Sequence, residues 1–152
     1  MLQFEFETWI DASPEQVWAF HQRPDIFELL TPPGKSMEVI KREGGLETGA
    51  RVEFRLRFGP ISIPWIAVHV DHETTRFFVD EQLRGPFRFW RHEHRFEPDQ
   101  GGTRLKDRVR CSLPGGPVAD WLLGWFVRLE LKQLFRHRHA VTKRFCEANR
   151  VV

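Results

Sequence analysis

What most constrains the fold of this chain is an alternation of side-chain type with a period of two, repeated in run after run. In Trp90 to Phe96, read W-R-H-E-H-R-F, Trp90, His92, His94 and Phe96 leave one side of an extended strand, and Arg91, Glu93 and Arg95 leave the other. Val52, Phe54, Leu56 and Phe58 alternate in the same way with Arg51, Glu53, Arg55 and Arg57. Leu105, Asp107, Val109 and Cys111 alternate with Arg104, Lys106, Arg108 and Arg110. A sheet with one charged, wet face must bury its other face. In the Trp90 run that other face carries two imidazoles between aromatic rings. A wall packed solidly on a core would use Val or Ile there, so the strand is read as one side of an apolar cavity with polar groups aimed inward.

The chain in order supplies what such a sheet needs. A first strand is predicted from Leu2 to Ile10. Ser13, Pro14 and Gln16 then have the spacing of an N-cap, a first helical position and a capping box. A short helix through Val17, Trp18, Phe20 and His21 is interrupted by Pro24, and Asp25 to Leu30 makes a further turn or two before Thr31-Pro32-Pro33-Gly34. Further strands are predicted at Met37 to Arg42, through Val52 to Phe58, and from Ile61 to Asp71 with an irregularity at Pro64. Another begins at Thr74-Thr75-Arg76 and ends at Gly85-Pro86. The Trp90 strand follows, then a hairpin loop at Asp99 to Gly102 and a last strand from Thr103 to Leu113. Pro114-Gly115-Gly116-Pro117 breaks the sheet, and a long helix runs to about Ala148. The expected class is α+β: a seven-stranded, bent antiparallel sheet wrapped around a long C-terminal helix, with two short helices between strands 1 and 2.

The 152 residues fit one domain, with no repeat or linker. Fourteen Phe and six Trp without any Tyr suit a dry interior or an apolar ligand site. A net charge of +2 gives no reason to expect a nucleic-acid partner. Cys111 and Cys146 are too few and too far apart for a disulfide framework or a cysteine zinc site, which fits a reducing cytoplasm. No signal-peptide pattern opens the sequence, and the longest apolar run, Trp121 to Val127, is too short to span a bilayer.

The order of elements, together with A-S-P-E-Q-V-W, L-T-P-P, F-V-D-E-Q-L-R-G-P-F, W-R-H-E-H-R-F, T-R-L-K-D-R-V, the Leu113-Pro114 break and F-R-H-R-H, resembles the START / polyketide cyclase-dehydrase superfamily. This is the helix-grip fold also seen in the birch-pollen allergen. The resemblance covers essentially the whole chain. It implies a hydrophobic small molecule, of lipid, polyketide or aromatic type, held between sheet and helix. It implies no cofactor and no metal, and some members cyclise or dehydrate polyketides while others only bind.

Hairpin geometry brings Asp107 beside the histidines. If Phe96 pairs with Thr103, His92 lies opposite Asp107; a shift of two puts His94 there. An imidazole held by a carboxylate is a natural general acid/base, so His92, His94 and Asp107 are the candidate catalytic residues, with mutual satisfaction of buried polar groups as the plain alternative. Candidate ligand contacts are Trp65, Asp80, Gln82, Trp90, Phe96, Val109 and Arg138. Periodicity alone would turn Glu81 inward; the resemblance favours Asp80 and Gln82. Arg138 sits within the apolar stripe of the long helix, where it would reach Asp107 or Asp80, meet an anionic ligand group, or snorkel to water. His92-x-His94 with Asp107 also has the spacing of three metal ligands, but no further Cys or clear third His supports it, and no metal is expected. The Trp121–Phe126 segment reads as a lid over the cavity, a homodimer contact or a membrane-surface contact. The functional expectation is a binding module for a hydrophobic small molecule. The alternatives are a cyclase/dehydratase-type enzyme using the His/Asp group and a protein-interaction domain.

Overall fold

The computed structural model describes residues 1–149. Seven strands, β1 (Leu2–Ile10), β2 (Ser36–Glu43), β3 (Arg51–Phe58), β4 (Ile61–Glu73), β5 (Phe77–Arg84), β6 (Phe89–Asp99) and β7 (Gly102–Ser112), form one antiparallel sheet in the order β1-β7-β6-β5-β4-β3-β2. Helices α1 (Pro14–His21) and α2 (Ile26–Leu30) join its two edges, and α3 (Pro117–Ala148) lies across its concave face. The predicted fold class is the observed one. Thr74 to Arg76 prove to be a turn rather than the start of β5, with Thr75 at φ 65°. Cys111 and Cys146 are both free and buried.

Local chemistry explains the elements that set the site. At α1 the Ser13 hydroxyl accepts from the Gln16 N–H (3.2 Å), and the Gln16 side chain accepts from the Ser13 N–H (3.0 Å). This capping box starts the helix where the sequence predicts it, and Ser13→Ala is expected to lower stability by about 1 kcal/mol in a urea titration. At the β6–β7 hairpin, Gln100 and Gly101 both have positive φ, 50° and 78°. Such a two-residue turn twists with its strands and fixes the register. Bulges at Val39/Lys41 in β2 and at Ile66/Ala67 and His69/Asp71 in β4 bend the sheet away from flatness.

Helix α3 buries Asp120, Gly124, Val127, Leu131, Phe135, His139, Thr142 and Cys146, spaced three or four apart as one helical face requires. Gly124 lets α3 sit close on β1: a Cβ there would stand 2.7 Å from Leu2 Cδ2, and the leucine side chain would have to shift. Two apolar clusters result. One holds Trp18, Phe78, Phe96 and Leu105 under α1; the other holds Trp65, Trp90, Val109 and Phe135 under the middle of α3. In the Trp121–Phe126 segment only Gly124 is buried; Trp121, Leu122, Leu123, Trp125 and Phe126 are exposed. Trp121 is 82% and Trp125 64% exposed, and neither lines a cavity, so the lid reading of this segment is corrected. No helix among the described residues is long and apolar enough to cross a membrane.

Candidate functional site

Between the sheet and α3 lies a cavity of about 420 Å³. Its walls come from β3 (Val52, Phe54, Leu56), β4 (Trp65, Ala67), α2 (Ile26, Phe27) and α3 (Leu131, Leu134, Phe135). The aromatic wall is continuous: Phe54 stacks on Trp65 at 5.6 Å, and Trp65 meets Trp90 edge-on at 5.1 Å. Asp80, His92 and His94 enter it from β5 and β6, with Arg138 from α3, and other polar lining groups include His21, His69, Lys35, Arg42, Arg51 and Arg57.

Register brings these groups together. His94 pairs with Asp107 across β6–β7 and with Phe78 across β5–β6, while Asp80 pairs with His92. The hairpin therefore adopts the arrangement with His94 opposite Asp107, yet both imidazoles reach that carboxylate. His92 Nε2–H donates to Asp107 Oδ1 at 2.6 Å, and His94 Nδ1 lies 3.2 Å from the same oxygen. The other oxygen, Oδ2, accepts from His139 Nε2 of α3 at 2.5 Å, and Thr8 Oγ1 of β1 bonds His139 Nδ1 at 2.9 Å. On the cavity side His94 Nε2–H donates to Asp80 Oδ2 at 2.9 Å, and His92 Nδ1 stands 3.8 Å from that oxygen. The two rings lie close and tilted, with 33° between their planes and 3.6 Å between centroids.

Charge follows from these bonds. Burial pushes the Asp107 carboxyl up, but hydrogen bonds from His139, His92 and His94 outweigh it and hold the group well below the ordinary carboxylate range. Asp80 is lowered too: its burial is overcome by the His94 bond and the two neighbouring imidazoles. For His94, burial is outweighed by the bonds to Asp107 and Asp80, which raise it to about 9. His92 goes the other way, lowered by burial and by His94 against the opposing pull of Asp107. At neutral pH one ring of this close pair is charged and the other is not.

Several sequence expectations need correction. Gln82 does not face the cavity; its amide donates to Phe87 O at 2.7 Å and accepts from Phe87 N–H at 3.1 Å, closing the β5–β6 turn. Phe96 and Val109 belong to the packed clusters and are not among the cavity walls. Asp107 stands behind the two histidines rather than on the cavity surface. Glu81 points outward, 3.8 Å from Arg91, whereas Asp80, Trp65 and Trp90 line the cavity as expected. Arg138 makes no ion pair with either aspartate among the described residues. Its guanidinium lies 5.8 Å from the Phe135 ring centroid, its Nε has no partner, and burial lowers its pKa against the pull of Asp107 and Asp80. The bond from α3 to Asp107 belongs to its neighbour His139, behind the cavity wall.

The sequence does not single out His139, Thr8 or His21 as functional residues. Thr8 alternates with Trp9, which marked its face but not its partner, and His139 lay in the F-R-H-R-H run without an assigned role. His21 packs edge-on against Phe96 at 5.1 Å, and its Nδ1–H donates to Val17 O at 2.8 Å. Burial lowers its pKa to about 4, against that bond.

Comparison with known proteins agrees with this architecture. The structure is similar to TTHA0849 from Thermus thermophilus (18% identity, 96% of this chain and 97% of that one, TM-score 0.74) and to Ara h 8.0201 (16%, 97% and 98%, 0.69). It is also similar to StfQ, a di-domain ARO/CYC of the steffimycin biosynthetic pathway (16%, 97% of this chain and 51% of that one, 0.74). At these identities the likeness establishes the fold. A search of curated proteins finds no match. The sequence itself carries the family signal: residues 10–137, from the end of β1 almost to the His139 bond, match polyketide cyclase / dehydrase and lipid transport, and the chain belongs to that family.

Proposed function

We propose that the chain binds a hydrophobic small molecule carrying one polar, anionic or carbonyl group, with its apolar body in the aromatic cavity. The observation that carries this reading is the cavity's composition: a wall built mainly of rings and aliphatic side chains, into which the buried group of His92, His94, Asp80 and Arg138 projects. Each Å² of apolar ligand surface removed from water contributes roughly 25 cal/mol, so the rings supply affinity and the polar end supplies orientation. The family's description and StfQ's place in a biosynthetic pathway support a ligand of the lipid or polyketide kind.

A titration with the fluorescent fatty acid cis-parinaric acid tests it. Saturable binding at one site per chain is expected, and Arg138→Met is expected to weaken a fatty acid by about tenfold while leaving the matching fatty alcohol unchanged. Absence of saturable binding sinks the proposal. An equal loss for acid and alcohol removes Arg138 as the polar anchor.

One observation favours catalysis as the second reading. His94 carries a proton at neutral pH while His92, packed against it, does not, so a donor and an acceptor of protons stand side by side on the cavity wall. This is the arrangement needed to remove a proton beside a ligand carbonyl and deliver one to its oxygen. Turnover of a poly-β-ketone substrate surviving in folded His92→Gln protein would exclude it.

A further inference from the structure

The two nitrogens that face the cavity at His92 and His94 are the ones Asp107 leaves free. Asp107, ionised, can only accept, so each bond to it fixes a proton on the nitrogen it meets. His92 thereby holds its proton on Nε2 and presents the bare Nδ1 lone pair toward Asp80 Oδ2, 3.8 Å away. Two electron-rich atoms thus aim at one small space, with only the His94 Nε2–H, 2.9 Å from the same carboxylate, to offset them. One donor atom from each of Asp80, His92 and His94 lies within 4.8 Å of the others. Around one ion with bonds of about 2.1 Å tetrahedral donors stand about 3.4 Å apart, so small side-chain movements would draw the three together, on a wall that lines the cavity.

We propose that Asp80, His92 and His94 bind one divalent first-row transition ion, zinc or iron(II) in type, on the cavity wall. Two imidazoles and one carboxylate with open positions form a donor set that such ions favour. The site has the support that metal-binding histidines need: both rings are oriented from behind by one buried carboxylate, which His139 holds, itself bonded to Thr8. Asp107 is therefore the supporting group, not the third ligand that spacing alone suggests. Charge also closes. A divalent ion against ionised Asp80 and Asp107 leaves the cluster neutral, the His94 Nε2 proton departing to solvent as nitrogen takes the metal. Arg138 stays free for a ligand's anionic group.

The test uses zinc and cobalt(II) on purified protein stripped with a chelator and holding no organic ligand, so that its failure is distinct from failure of the ligand-binding reading. Calorimetry with zinc is expected to give one ion per chain, and cobalt(II) to give a visible d–d band. Asp80→Asn, which keeps the side chain's shape, and His92→Gln should each weaken zinc by more than about 100-fold, beyond the ~10–100-fold typical of losing a supporting group. His137→Ala, whose imidazole is outside the cluster, should bind as the parent does. Circular dichroism confirms that each variant is folded. Zinc binding unchanged in Asp80→Asn, or lost equally in His137→Ala, would overturn the proposal, as would failure of the parent protein to bind.

Discussion

Asp107→Asn is expected to lower the unfolding free energy by about 3–5 kcal/mol, the cost of removing one member of a buried charged network. Asp107 is 4% exposed, and three imidazoles from two elements converge on it. Its charge offsets the proton that His94 holds, and its two oxygens satisfy ring N–H groups that have no water to turn to. An Asn amide offers one acceptor oxygen and puts an NH₂ where His139 or His92 now donates, leaving a buried donor facing a donor. Urea unfolding in the presence of chelator measures the effect, as a shift of midpoint with an unchanged slope. A loss under about 1 kcal/mol would mean that solvent reaches the cluster and that the network is not the tie between β6, β7 and α3.

The second large effect is a pH dependence that resides in His21. Its pKa is lowered from 6.5 to about 4 by burial, so below pH 6.5 the unfolded chain takes up a proton that the folded one refuses. Stability is intact above pH 6.5 and falls as pH drops toward 4, by about 3 kcal/mol in all, each pKa unit being worth about 1.4 kcal/mol. Asp107 and Asp80, lowered in the fold, add losses on the same acid side. His94, raised to about 9, acts oppositely: its contribution is complete below pH 6.5 and disappears as pH climbs to 9. His21→Phe keeps a ring against Phe20, Phe78 and Phe96 and removes the titration. Relative to the parent it should gain about 3 kcal/mol between pH 7.5 and pH 4 in denaturant titrations. Parallel pH curves for the two proteins would show that the imidazole is hydrated in the fold.

These two residues also divide what a sequence can show from what it cannot. Asp107 was legible as a partner of the Trp90 strand because alternation places it on the inner face, and a hairpin brings that face to its neighbour. Which histidine it opposes was open by two residues, since a period of two names the face but is blind to register. The Gln100-Gly101 turn decided it. His21 gave no signal at all: a histidine at the end of a short helix reads as ordinary until Phe78 and Phe96 close over it.

The amino-acid sequence alone determined the element order, the wet and dry faces of the sheet, the start of α1 and the family, because all of these follow from local periodicity, capping and breaks. Only the tertiary structure decided that His139, and not Arg138, crosses to Asp107. Adjacent residues on a helix point about 100° apart, and the rotation of α3 is set by distant packing, with Gly124 pressed on Leu2 and Phe135 between the sheet's rings. The composition of the cluster was written in the chain; its geometry came from the rotation of one helix and the register of one hairpin.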